Sequence, residues 1–206
     1  MCIRDSLKLI KRRGKQHPEI IPESLGFIDQ ESLRMQHLIE NLLHLSRADR
    51  AEISLHPVDI DPLVQSVIAH YQPLIDQPIT YDGPATPTMV LADTDMLHQV
   101  LTALLDNAHK YGAPDQSIDV TVAKQAQHVT LSVADHGPGI STAERPHIFE
   151  RFYRVDESRS NKIEGSGLGL AIVAQLVRLN KGTITITDNP PHGACFIISL
   201  PSANEN

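Results

Sequence analysis

At 206 residues, 41% of them hydrophobic, the chain is long enough for one domain or two modest ones and apolar enough for a packed core. Its formal net charge of −7 argues against a nucleic-acid partner, since phosphate binding needs a surplus of Lys and Arg on one face, and the short basic run KLIKRRGK (8–15) reads as a solvated helix end and turn. Two cysteines, Cys2 and Cys195, supply neither a disulfide framework nor a metal cluster, which fits a reducing compartment, and no apolar stretch nears the ~20 residues that span a bilayer.

In chain order, the opening MCIRDS has no cap and no secretory pattern, and reads as a scar foreign to the protein. Residues 7–13 read as the last turns of a helix ending at Gly14. Within 23–50, Leu25, Ile28, Met35, Ile39 and Leu42 follow at spacings of three, seven, four and three, a heptad seam that Leu38 and Leu45 widen. So narrow a stripe predicts a helical hairpin that dimerises; the alternative is one helix lying on its own globular domain. A first domain at 1–50 and a second at 51–202 are the expected division.

Beyond Asp49 the period changes. Asp61 reads as the N-cap of a helix with Pro62 at its first position. Strand signals follow at 79–81 and 88–92, then a helix from about Asp93 to Tyr111 that stops at Gly112 and buries Leu97, Leu101, Leu104 and Ala108. The alternating segments SIDVTVAK and HVTLSVAD form a hairpin. A Gly/Pro loop, a short helix near 142–148, a polar stretch and a glycine-opened helix come next, and TITITD with ACFIISLP closes the chain as another hairpin. The expected fold class is α+β: an α/β sandwich whose mixed, mainly antiparallel sheet is covered on one face by helices.

Three glycines, Gly165, Gly167 and Gly169, precede the last helix in EGSGLGLAIV (164–173). Glycine costs about 0.5–1 kcal/mol relative to alanine inside an element, so three together need a reason. The spacing is not the Gly-x-Gly-x-x-Gly of dinucleotide folds, and no GxxxxGK[ST] loop exists. A bare backbone at a helix N-terminus offers free N–H groups and a positive dipole end to phosphate oxygens; a tight turn is the alternative. In ADHGPGI (134–140), Asp135 ends a strand ahead of Gly137 and Gly139. A carboxylate only accepts, so it suits the exocyclic amine of adenine and repels the carbonyl of guanine, a contact worth about 1.5–3 kcal/mol. It can equally close the strand as an Asx turn. Asn107, Lys110 and Tyr111 stand at i, i+3 and i+4 on one helix face. They offer an amide oxygen for Mg2+, a point charge for phosphates and a ring for the nucleoside, or form an ordinary polar helix end. In FERFYRVDESRSNKIEG (149–165), Phe149 and Phe152 read as apolar anchors of a polar, lid-like stretch.

Taken in order, Asn107 with Lys110-Tyr111, Asp135-x-Gly137-x-Gly139, Phe149 to Phe152, and Gly165-x-Gly167-Leu168-Gly169-Leu170 resemble the N, G1, F and G2 boxes of bacterial sensor histidine kinases. RMQHLIENLLHLSRAD (34–49) is similar to the second helix of that family's dimerisation hairpin, so the resemblance covers residues 25–200. It implies an ATP-binding domain in which Asp135 reads adenine and Asn107 holds Mg2+. Lys110 and the Gly165–Gly169 backbone hold the phosphates, and Arg154 and Lys162 in the lid are candidate further contacts. It also implies transfer of the ATP γ-phosphoryl to a histidine and then to an aspartate of a response-regulator receiver domain. A homodimer through the hairpin and a cytoplasmic domain, attached to a membrane only by upstream segments, complete the picture. The alternatives are an ATP-hydrolysing relative of the gyrase, chaperone or mismatch-repair type, or a nucleotide-binding scaffold without kinase activity.

Two departures stand out. The N box usually carries a first Asn four residues before the second, where this chain has Ala103, so weakened ATP binding is expected. The phospho-accepting His of the family is followed by Glu or Asp, whereas none of the eleven histidines here is: His17 precedes a proline, and His37 and His44 fall on the second helix. The acceptor is therefore expected upstream of Leu7, and this fragment is not expected to phosphorylate itself.

Overall fold

The computed structural model describes residues 3–13, 17, 20–22, 24–26, 28, 54–155 and 167–203. The chain divides into two compact units, Met1–Ser46 and Arg47–Asn206. In the first, helix α1 (Ile3–Arg13) is followed by helical pieces at 20–22 and 24–26. Leu25 is 52% exposed and Ile28 half-buried; the rest of the expected seam, from Met35 to Leu45, lies outside the described residues, as do His37 and His44.

In the second unit, strand β1 (His56–Asp59) runs straight into helix α2 (Ile60–Tyr71). The N-cap is Asp59 rather than the expected Asp61. Asp59 Oδ1 accepts the Asp61 N–H at 3.4 Å and the Thr88 N–H at 3.2 Å. Pairing of β1 with β3 ends the extended segment at Asp59, so the helix starts two residues early and Pro62 falls elsewhere in the first turn, where its missing N–H has no intrahelical partner to lose. Asp61 instead accepts the Tyr81 hydroxyl at 2.6 Å and the Gln65 amide at 2.8 Å.

After a 3-10 turn (Gln72–Leu74) come β2 (Ile79–Asp82), β3 (Met89–Ala92), α3 (Thr94–Tyr111), β4 (Ile118–Lys124), β5 (His128–Ala134), α4 (Gly169–Leu179), β6 (Thr183–Asp188) and β7 (Ala194–Pro201). A five-stranded sheet has the order β2-β4-β5-β7-β6, with β2 parallel to β4 and every other neighbour antiparallel; β1 and β3 form a separate antiparallel pair. Alternation sorts the sheet into two faces. Ile118, Val120, Val122, Val129, Leu131, Val133, Phe196, Ile198 and Leu200 are buried on one, while Asp119, Thr121, Ser132 and Ser199 occupy the other.

The helices cover the apolar face. Helix α3 lies between α2 and α4 and touches β4 and β5. It buries Leu97, Val100, Leu101, Leu104, Leu105 and Ala108, and α4 buries Ala171, Ile172, Val173, Leu176 and Val177. Each large side chain so buried stabilises the fold by about 1.5–3 kcal/mol. Asn180, fully buried at the end of α4, donates to Leu176 O at 2.8 Å and accepts the Asp93 N–H at 2.7 Å. The end of α4 is thus fastened to the start of α3, and the two helices run antiparallel. At 1.5 Å per residue α4 spans about 16 Å, which brings its first turn level with the second half of α3.

In place of the short helix expected near 142–148, residues 142–149 form a run of turns. Arg145 N–H reaches Ser141 O and Ile148 N–H reaches Glu144 O, but Pro146 stands between them with no N–H to continue the ladder.

Candidate functional site

The site grows from the point where β5 ends. Asp135 is only 4% exposed. Its backbone N–H donates to Ala194 O at 2.9 Å, and its Oδ1 accepts the Gly137 N–H at 2.8 Å and the Ala194 N–H at 3.2 Å. The Gly137 bond is the Asx turn that the sequence equally allows, and it occupies one carboxylate oxygen. Among the described residues Oδ2 accepts no hydrogen bond. Burial pushes the Asp135 carboxyl above its ordinary range, against the lowering effect of the Gly137 and Ala194 N–H bonds.

Glycine backbone packs closely around Asp135. A Cβ on Gly137 would overlap Tyr111 O, and one on Gly112 would come within 3.4 Å of the Asp135 Cβ, so the end of α3 and the turn after β5 are in direct contact. Gly193, at φ +139°, lies against the Asp135 carbonyl so closely that a Cβ would overlap its oxygen. Gly139, at φ +75°, faces Gly193 O. The loop beyond is tied to the end of β6, because Arg145 donates through Nε to Ile140 O at 3.1 Å and pairs with Asp188. Sequence reasoning reached Asp135, Gly137 and Gly139 but missed Gly193 and Asn189; the signal available was a glycine directly before β7, opposite the Asp135 strand end.

Asn107 is half-buried beside the stripe that α3 presents to the core, and no described residue hydrogen-bonds its amide. Lys110 and Tyr111 are each 40% exposed. Lys110 Nζ pairs with Asp106 Oδ2 at 2.6 Å, so the polar-helix-end alternative describes Lys110 as the structure stands. Asp106 also receives the Tyr71 hydroxyl; burial first, and then Asp106, push that phenol up to about 12.

Of the glycine stretch, Gly165 lies outside the described residues, as does Lys162 in the lid; Arg154 is half-buried. Gly167, at φ +68°, approaches the Phe152 carbonyl carbon so closely that a Cβ would stand 2.8 Å from it, and Phe152 N–H donates to Gly167 O at 2.9 Å. Gly169, the first residue of α4, is different: among the described residues a Cβ there would meet nothing within 4 Å. Leu168 is fully buried at the N-cap position and its side chain supplies no cap. The first amides of α4 have no intrahelical acceptor and form the positive end of its dipole. Phe149 is an anchor as expected, edge-on to Phe196 with ring centroids 6.5 Å apart. Phe152 is not: at φ +66° its ring is turned outward and 65% exposed.

Residues 92–204 match the family described as histidine kinase-, DNA gyrase B-, and HSP90-like ATPase. The chain belongs to this family. Within that family of ATPases its relatives are sensor kinases. It is 36% identical, over 97% of its length, to the probable sensor histidine kinase TcrY of Mycobacterium tuberculosis, and spans 42% of that protein. The solved mycobacterial sensor histidine kinase MprB aligns at 31% identity with a TM-score of 0.62, over 73% of this chain and 99% of that one. ShkA, solved full-length with AMPPNP, gives a TM-score of 0.75 at 29% identity, over 91% of this chain and 40% of that one. The chain carries a sensor histidine kinase ATP-binding domain, and it spans less than half of the curated relatives it matches.

Proposed function

We propose that this domain binds ATP between Asp135, the end of α3 and the start of α4, and that the whole protein transfers the γ-phosphoryl to a histidine and then to an aspartate of a response regulator. The observation that carries the reading is the state of the Asp135 carboxylate: it is buried among close-packed backbone, Oδ1 is fixed by two N–H groups, and Oδ2 has no described partner. A buried acceptor of this kind selects a donor, and the exocyclic amine of adenine is one. The amides of the first turn of α4, which lack an intrahelical acceptor, suit the phosphate tail, and Gly169 adds no side chain there.

Asn107 would hold Mg2+ through its amide oxygen, a hard neutral ligand with no described competitor, with water and phosphate oxygens completing the shell. When bound, that ion supplies neutralisation of the charge developing on the phosphates. Lys110 adds a positive charge once it leaves Asp106. Phosphoryl transfer demands little else than placement and charge, so the chain's own contribution is to orient the nucleotide and exclude water. The dimer through the helical hairpin, the receiver-domain partner and a cytoplasmic domain on a membrane-anchored protein belong to this same reading; no helix among the described residues is long and apolar enough to cross a membrane. Lys162, Gly165 and Arg154 remain assigned to the lid and phosphates by resemblance.

The test is incubation of the chain with γ-labelled ATP and a separately made acceptor hairpin from a sensor kinase. Acid-labile label on the hairpin histidine is the expected result. ATP binding without transfer would leave the scaffold reading, and steady phosphate release would favour the ATP-hydrolysing one, although Ala103 supplies no carboxylate to activate water.

A further inference from the structure

We propose that Asn189 is a positioning residue for Asp135: its side-chain amide fixes the peptide from which the base-reading carboxylate projects. The inference rests on the ATP reading of Asp135 given above.

Asn189 follows β6 and occupies both sides of a small clamp. Its backbone N–H donates to Gly193 O at 3.1 Å, closing the turn into β7, and its Nδ2 donates to Asp135 O at 2.9 Å across 54 residues of sequence. The Asp135 carbonyl is thereby pressed by the Gly193 backbone and held by the Asn189 amide, while the Asp135 N–H and Oδ1 are held by Ala194. β5 ends at Ala134, so the peptide after Asp135 has no ladder partner in β4 or β7 to fix its rotation. Asn189 provides that restraint.

The neighbours of the amide also dictate which way it faces. Nδ2 stands 3.5 Å from His136 Nδ1, and His136 Nε2 stands 2.8 Å from Asp119 Oδ2. Asp119 Oδ1 in turn accepts the Thr80 and Ser117 hydroxyls, each at 2.7 Å. A carboxylate only accepts, so the neutral ring carries its hydrogen on Nε2 and leaves Nδ1 bare. A bare Nδ1 and the Asp135 carbonyl are two acceptors converging on the Asn189 Nδ2, which has two hydrogens to give. The flipped amide would turn an oxygen toward both. On the sheet face away from the helices, the row running from Thr80 and Ser117 through Asp119 and His136 thus ends by orienting Asn189.

The experiment compares ATP and GTP affinity, by titration calorimetry on the full chain, for the parent, Asn189→Ala, Asn189→Asp and Asp135→Asn. Asn189→Ala is expected to weaken ATP about fivefold, the loss of one net hydrogen bond, with GTP unchanged. Asn189→Asp, which replaces the donor with a charge facing the carbonyl, loses at least as much. The backbone bond that closes the turn survives in all variants, so a merely structural role would lower the melting temperature and leave the ATP-to-GTP ratio alone. An unchanged ratio in Asn189→Ala, alongside its collapse in Asp135→Asn, overturns the proposal. An unchanged ratio in Asp135→Asn instead overturns the adenine-reading role itself.

Discussion

Gly193 lies flat against the carbonyl of Asp135, at a φ of +139° that only glycine adopts without strain. Substitution by alanine adds both an unfavourable backbone conformation, about 1–3 kcal/mol, and an overlap with the carbonyl oxygen. Gly193→Ala is therefore expected to lower stability by at least that amount in urea unfolding, and to weaken ATP binding as well, because relief of the overlap must move Asp135. A melting curve and affinity equal to the parent's would refute this.

The pH dependence of binding arises from the same carboxylate. Burial raises the Asp135 pKa over its unfolded value, so the folded chain keeps this proton at a pH where the unfolded chain has lost it. This group's contribution to stability is therefore largest at low pH and falls as pH rises through the raised value. Nucleotide binding needs the opposite state, since a protonated carboxyl no longer offers a charged acceptor. ATP affinity should decline as pH falls through that raised value, and Asp135→Asn should flatten the profile. Calorimetry from about pH 4 to 8, a range spanning the ordinary carboxylate value and neutrality, reads both.

Lys110 is held by Asp106 one turn back, at 2.6 Å, with the two side chains 40% and 46% exposed. Exposed i,i+4 pairs contribute only about 0.3–0.5 kcal/mol. Asp106→Asn should then raise ATP affinity by no more than about twofold, the release of that pair. The gain should shrink as salt is added. A loss of affinity instead would mean that Asp106 itself serves the nucleotide.

Ala103 stands one helix turn before Asn107, where a second amide is expected in the N box. Installing it as Ala103→Asn is expected to tighten Mg2+-ATP binding, by about the factor of five that one net hydrogen bond carries. Identical affinity with and without the change would show that water fills the place without loss.

Much of this architecture was legible because it is local. The β4–β5 and β6–β7 hairpins come from period-two alternation, and the ends of α3 from Asp93 and Gly112. Pairings between distant segments left no such trace. The parallel contact of β2 with β4 and the β1–β3 ribbon are fixed by tertiary packing, and the second of these displaced the α2 cap from Asp61 to Asp59. In the candidate site, residue type marked Asp135 only as an acid in need of a partner, since it follows an apolar strand. It could not announce Asn189, an ordinary loop residue whose importance comes from a carbonyl 54 positions away. Nor could it tell an inward phenylalanine from an outward one: Phe149 and Phe152 share a chemistry, and only the φ of +66° at Phe152 separates them.

Phe152 also sets a boundary condition on the segment downstream of it. Phe152 and Gly167 are joined by a backbone hydrogen bond of 2.9 Å and by the absence of a side chain on the glycine, so these two positions are held together next to the first turn of α4. With both ends pinned together, doubling the number of residues between them costs only about 0.6 kcal/mol of loop-closure entropy. Insertions placed between Val155 and Gly167 are therefore expected to leave the stability of the sheet and helices almost unchanged.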